Sequence, residues 1–114
     1  MSKFNSRRVK FAGYSFDSKA EERRYHQLKL AQDAGTISRL MVHPTFTILD
    51  GFTDWEGKKV RPIIYEADFA YVEDGRFTLE DVKGFVTAEF RLKWKMLRAR
   101  YPEYRCLIID VKDL

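Results

Sequence analysis

A single cysteine, Cys106, in 114 residues excludes an internal disulfide and any zinc site built from several thiolates. It reads as a small core side chain. Histidine is almost as scarce, at two residues. Long apolar runs are missing, so no segment reads as a membrane span. The chain does not open with the charged start, apolar stretch and small-residue cleavage site of a secretory leader, and the expectation is an intracellular protein. With three prolines and six glycines there are no linkers, repeats or low-complexity stretches. Residues 1–114 read as one domain, with residues 1–8 a polar, basic arm.

What the sequence does have is aromatic bulk and segregated charge. Hydrophobic residues make up 45% and aromatic ones 15%, ample for the core of a small domain. The net charge is +5 over residues 1–30, −4 over 31–86, +4 over 87–105 and −1 over the last nine, for a total of +4. An acidic focus within basic surface suits a metal-dependent enzyme acting on a polyanion.

Local chemistry then divides the chain. Val9-Lys10-Phe11 and Tyr14-Ser15-Phe16 flank Ala12-Gly13 as a short hairpin. Ser18 with Glu21 three residues on is a capping box, Asp17 being a second capping candidate, and strong helix formers run to Ala34 before Gly35 stops them. The inward stripe of that helix holds Glu21, Tyr25, Leu28 and Gln32, which sets a carboxylate on the buried side. Ile37 to Val42 and Thr45 to Leu49 are β-rich, interrupted at His43-Pro44 by a bulge or bend. Asp50 to Lys59 reads as a polar loop. Pro62 to Val72 reads as one long strand and Phe77 to Val82 as the next, joined at Asp74-Gly75. Thr87 caps a second helix from Ala88 to about Arg100, with Phe90, Trp94, Leu97 and Tyr101 along its core face. Cys106 to Val111 reads as a strand inside a sheet.

A two-residue Asp74-Gly75 turn fixes the hairpin register and sets Asp68 directly across from Asp81. Lys83, two residues beyond Asp81 on the same side, would oppose Glu66. Facing carboxylates repel, and burial makes this worse, so a divalent cation between them would relieve it. Their oxygens suit Mg²⁺ or Mn²⁺, and the lack of a Cys or His cluster argues against zinc. Glu21 is placed to complete the site. Lys83 is placed to orient water and to stabilise charge on a phosphoryl transition state.

The order of helix glutamate, Asp68, then Asp81-Val82-Lys83 on the next strand, then helix and strand resembles the PD-(D/E)XK nuclease superfamily. Phe16-Asp17-Ser18-Lys19-Ala20-Glu21 with Arg24-Tyr25, Tyr65-Glu66-Ala67-Asp68-Phe69 with Tyr71, and Glu80-Asp81-Val82-Lys83-Gly84 with Thr87 carry the likeness. Lys93, Lys95 and Tyr101-Pro102 extend it, so that it covers residues 9–105. Within the superfamily the chain is similar to small phage-encoded nucleases related to archaeal-type Holliday junction resolvases. The resemblance implies a three-layer restriction-endonuclease-like α/β fold with a mixed β-sheet flanked by helices. It also implies a Mg²⁺-dependent endonuclease, with Mn²⁺ able to substitute, acting as a homodimer that nicks four-way junctions, in the cytoplasm of a bacterial host.

Glu21, Asp68, Asp81 and Lys83 fall on the motif positions as catalytic residues, the three carboxylates as metal ligands. Ala67 stands where the superfamily pattern has a proline. No role is read for His43, which occupies a place where glutamine or a similar polar residue is expected. Arg7, Arg8, Lys10, Lys93 and Lys95 are candidate DNA contacts, of the kind that position the backbone without reading bases. Glu80 should point to the opposite face of the sheet and act structurally. The alternatives are a flap or nicking nuclease of the same fold, or a DNA-binding recombination accessory protein without hydrolysis.

Overall fold

The computed structural model describes residues 9–11, 14–16 and 18–114, with side chains from Ser18 onward. The basic arm with Arg7 and Arg8, the Lys10 side chain and Asp17 as a cap lie outside the described residues. Strands β1 (Val9–Phe11) and β2 (Tyr14–Phe16) pair antiparallel with Val9 opposite Phe16, the expected hairpin. Helix α1 spans Lys19–Asp33. Ser18 caps it, its hydroxyl accepting the Glu21 N–H at 3.2 Å. Ala20, Glu21, Tyr25 and Leu28 form its buried stripe. Gln32, at the far end, accepts the Leu40 N–H at 2.7 Å and ties α1 to the next strand. Gly35 ends the helix with a φ of +83°, a conformation costly to other residues.

Strands β3 (Ser38–Val42) and β4 (Thr45–Leu49) follow. The expected polar loop contains a small ladder of β5 (Phe52–Thr53) and β6 (Lys59–Val60). The Asp54 carboxylate organises its turn by accepting the N–H groups of Glu56 and Lys58, both at 2.9 Å. Next come β7 (Ile63–Glu66), β8 (Phe69–Glu73), β9 (Arg76–Lys83), α2 (Ala88–Arg100) and β10 (Arg105–Asp110), with a 3-10 turn at Val111–Asp113. Asp74 and Gly75 take φ values of +52° and +74°, the left-handed pair that a two-residue hairpin turn requires. The register follows, with Glu73 opposite Arg76 and Phe69 opposite Glu80.

The principal sheet runs β10-β9-β8-β3, with β10 parallel to β9 and the other pairs antiparallel, so the fold is α/β with a mixed sheet. Alternation along β8 divides the core. Phe69 and Tyr71 pack with Tyr25, Leu28 and Ile37 on the α1 side. Ala70, with Leu79 of β9, packs against Phe90, Trp94 and Leu97 of α2 on the other. The sheet therefore lies between the two helices, and the Phe90, Trp94, Leu97 face is core.

Three expectations are corrected. The single strand from Pro62 to Val72 is two, because the chain bends at Ala67-Asp68 and β7 pairs with β4 instead of β9. The bend is matched by the one at His43-Pro44. Val42 opposite Phe69 and Thr45 opposite Glu66 keep the same offset, so His43 faces Asp68 and Pro44 faces Ala67. The His43 N–H donates to the Asp68 carbonyl at 2.9 Å and the Ala67 N–H to the Pro44 carbonyl at 3.0 Å. One ladder is thus bent at a point where proline supplies no N–H. Second, β10 lies at an edge of the sheet, not inside it: its apolar run covers β9 on one side, and Ile108 stays exposed. Third, the β8–β9 ladder keeps the expected register but ends one pair short of Asp68 and Asp81. The β8–β9 ladder stops at Phe69 and Glu80, and the Asp68 N–H also donates to the Glu80 carbonyl, at 3.1 Å.

Candidate metal centre

The bend, the first turn of α1, the end of β9 and the first turn of α2 converge. Glu21, one turn into α1, is buried, and a buried carboxylate needs a partner. Its Oε1 lies 2.6 Å from Nε2 of His43. His43 is aimed there by its backbone: a φ of +56° puts it in the left-handed region, which histidine visits more readily than most non-glycine residues. Its Nδ1 lies 4.0 Å from Glu66 Oε2. Asp68, opposite His43, turns its carboxylate inward, where Oδ2 accepts the Val82 N–H at 2.7 Å. Ligand atoms of Glu21, His43 and Asp68 all lie within 4.8 Å of one another.

Electrostatics mark this as a place short of positive charge. The Asp68 carboxyl is pushed up to about 7, first by burial and then by the negative charge of Glu21. The Val82 N–H, Lys83 and His43 act in the opposite direction without offsetting it. A group with two carboxylates and an imidazole that resists holding both negative charges fits a divalent cation in its donor chemistry. Oxygen donors suit Mg²⁺ and Mn²⁺, and the imidazole tilts the set toward the transition metal.

The other anticipated residues separate. Asp81 is buried and accepts the hydroxyl of Tyr65 at Oδ2. It is outside the group of three, although the Asp68 carboxylate takes the N–H of Val82, the residue that follows Asp81. Glu66 does not meet Lys83: it pairs with Thr45 in the ladder, whereas Lys83 lies beside Asp110 of β10. The Lys83 ammonium sits 4.5 Å from the centre of the Phe90 ring and joins no ion pair among the described residues. Glu80 does face the other side. It is fully buried, with both oxygens held by Arg24 at 2.8 and 2.6 Å and one also by the Tyr71 hydroxyl.

A cavity of about 1040 Å³ opens on the centre. Glu21, Glu66, Asp68 and Lys83 line it, with Lys93 and Arg23 adding positive charge. Lys93 is held by Glu89 at 3.0 Å, whereas Arg23 joins no ion pair among the described residues. Lys95 is exposed and does not line the cavity. Gly84 lets the end of β9 close onto Val111, since a Cβ there would meet a Val111 methyl at 3.3 Å. Two residues that the motif reading passed over belong here. His43 was detectable as a histidine inside the bend signal His43-Pro44. Arg23 lies two residues after Glu21, a spacing that gave no reason to turn it toward the site.

Among the described residues no helix is long and apolar enough to cross a membrane. Residues 1–112 match the family described as a protein of unknown function, DUF1064. No curated protein matches the sequence.

Proposed function

The chain belongs to the DUF1064 family, and for it we propose a divalent-metal-dependent endonuclease acting on branched DNA, built on the three-layer PD-(D/E)XK nuclease plan. The observation that carries the reading is the grouping of Glu21, His43 and Asp68 beside a cavity that also exposes Lys83 and Arg23. The order of elements supports the plan: a helix bearing Glu21, a strand entered at Asp68, the next strand ending in Lys83, and a helix on the far face of the sheet.

A divalent cation held by Glu21, His43 and Asp68 would polarise a phosphoryl oxygen and acidify water. The rest falls to the chain. Lys83, held over Phe90 and in no ion pair among the described residues, is available to neutralise charge growing on the phosphate. Its ammonium also suits orientation of the attacking water. Arg23 and Lys93 provide contacts for neighbouring phosphates. Glu66 sets a negative charge beside the imidazole, its Oε2 lying 4.0 Å from His43 Nδ1. Asp81 stands behind Tyr65, which itself lines the cavity, and supports that wall.

The finer reading is a Holliday junction resolvase. Paired nicks across a four-way junction require two such sites, hence a homodimer. The test is cleavage of end-labelled four-way junction, flap, duplex and single strand in Mg²⁺ or Mn²⁺, with Asp68→Asn and EDTA as controls. Symmetric nicks in the junction, lost in both controls, are expected. Cleavage confined to flaps or duplex would keep the nuclease and remove the resolvase. Binding that persists in EDTA, with no cleavage of any substrate, would favour a DNA-binding accessory protein.

A further inference from the structure

Phe85 occupies an unusual position for a phenylalanine. It lies between the end of β9 and the cap of α2, 78% exposed, and makes no ring contact with another aromatic side chain among the described residues. Its neighbour Val86 packs against the α2 core, whereas the Phe85 side chain is left in solvent. The ring lines the same cavity as Glu21, Asp68 and Lys83. Ile64, also exposed, is a second apolar member of that lining. The cavity therefore combines carboxylates, and the cations Arg23 and Lys83 that join no ion pair among the described residues, with an aromatic face in solvent.

From this combination we infer that Phe85 is a stacking platform for an unpaired base next to the scissile phosphate, so that the site selects DNA whose strand is splayed open there. The inference rests on the nuclease reading and specifies its substrate. A nucleotide carries its charged phosphate and its base at different positions of one sugar. A ligand whose phosphate reaches Lys83 and the carboxylate group presents an aromatic base to whatever lines the remaining wall. Base-paired DNA keeps that face stacked on its neighbours, whereas a branch point, a flap or a single strand leaves it available. Stacking of a free base on an aromatic side chain is tolerant of sequence, which fits a cavity offering an apolar ring. Charge complementarity holds on the other side: Arg23 and Lys83 have no ion-pair partner among the described residues, so a phosphate would displace no internal carboxylate.

The test is fluorescence anisotropy with labelled oligonucleotides in Ca²⁺ to suppress cleavage, comparing wild type, Phe85→Ala and Phe85→Trp on a single-stranded dT oligomer, a four-way junction and a plain duplex. Because Phe85 is exposed, neither substitution disturbs the core, and thermal melts check this. Phe85→Ala should weaken binding to the single strand and the junction by at least about fivefold and leave duplex affinity unchanged. Phe85→Trp should retain the selectivity and add indole emission that the dT oligomer quenches. Equal affinities of Phe85→Ala and wild type for all three DNAs would overturn the inference while leaving the nuclease reading intact, and so would a uniform loss. Failure of wild type to bind any of the DNAs would overturn both.

Discussion

His43 faces Asp68 across the bend of one antiparallel ladder, its N–H donating to the Asp68 carbonyl at 2.9 Å while its imidazole reaches Glu21 at 2.6 Å. One residue therefore fixes the backbone of one acidic group and the side chain of another. Replacing its side chain should release Glu21 while the backbone bond to Asp68 stays. His43→Ala is expected to lower Mn²⁺ affinity at least about tenfold in isothermal titration calorimetry. Wild type should bind Mn²⁺ more tightly than Mg²⁺, and His43→Gln should narrow that preference, because an imidazole nitrogen favours the transition metal.

Asp68 makes stability depend on pH in a definite direction. Its proton leaves near 3.8 in an ordinary environment and near 7 in the fold. Between those values the folded chain binds more protons than the unfolded one, so this contribution is greatest below the window. It falls as pH rises through the window and is constant above it. The melting temperature of metal-free protein, taken as a difference from Asp68→Asn, should therefore decline from pH 4 to pH 7. Saturating Mn²⁺ should restore the loss at pH 8, since the cation binds the charged form of the native state.

Asp81 and Asp68 should behave differently when neutralised. Asp81→Asn leaves the group of three intact and is expected to keep Mn²⁺ affinity within about twofold, whereas Asp68→Asn should abolish it. Tyr65→Phe, which removes the donor to the Asp81 carboxylate, should cost about 1–3 kcal/mol in urea unfolding. If Asp81→Asn removes Mn²⁺ binding as completely as Asp68→Asn, the metal set given above is incorrect.

On the opposite face of the sheet, Arg24→Ala would strand the fully buried Glu80. The expected loss is about 3–5 kcal/mol, the cost of breaking one side of a buried pair. Tyr71→Phe should cost less, about 1–2 kcal/mol, because Arg24 still holds both oxygens. Equilibrium urea curves for the two variants separate these values.

Trp55, at the turn between β5 and β6, is 92% exposed, while Trp94 is buried in the core. Trp55→Ser should leave stability unchanged within about 0.5 kcal/mol. It should also remove the fraction of indole emission that iodide quenches.

Much of the candidate site could be seen in the sequence because it follows from short-range geometry. Ser18 and Glu21 mark the start of α1, and helical periodicity turns Glu21 inward whatever the rest of the chain does. Asp74-Gly75 permits one turn geometry, and from it the pairing of β8 with β9 follows residue by residue. Thr87 and Phe90 begin α2 in the same local way.

What the sequence by itself determined, then, is the set of helices, the central hairpin and the acidic positions Glu21 and Asp68. The tertiary structure alone decided which carboxylates meet. Strand alternation states which face a side chain takes but not which strand lies alongside, so the preference of β7 for β4 over β9 could not be read from residues 62–72. That single choice bends the chain at Asp68, ends the β8–β9 ladder at Phe69 and Glu80, leaves Lys83 without Glu66 and brings in His43, 25 positions earlier in the chain. Pairing between distant strands depends on the free energy of the whole sheet, and a motif written along one chain segment does not contain it.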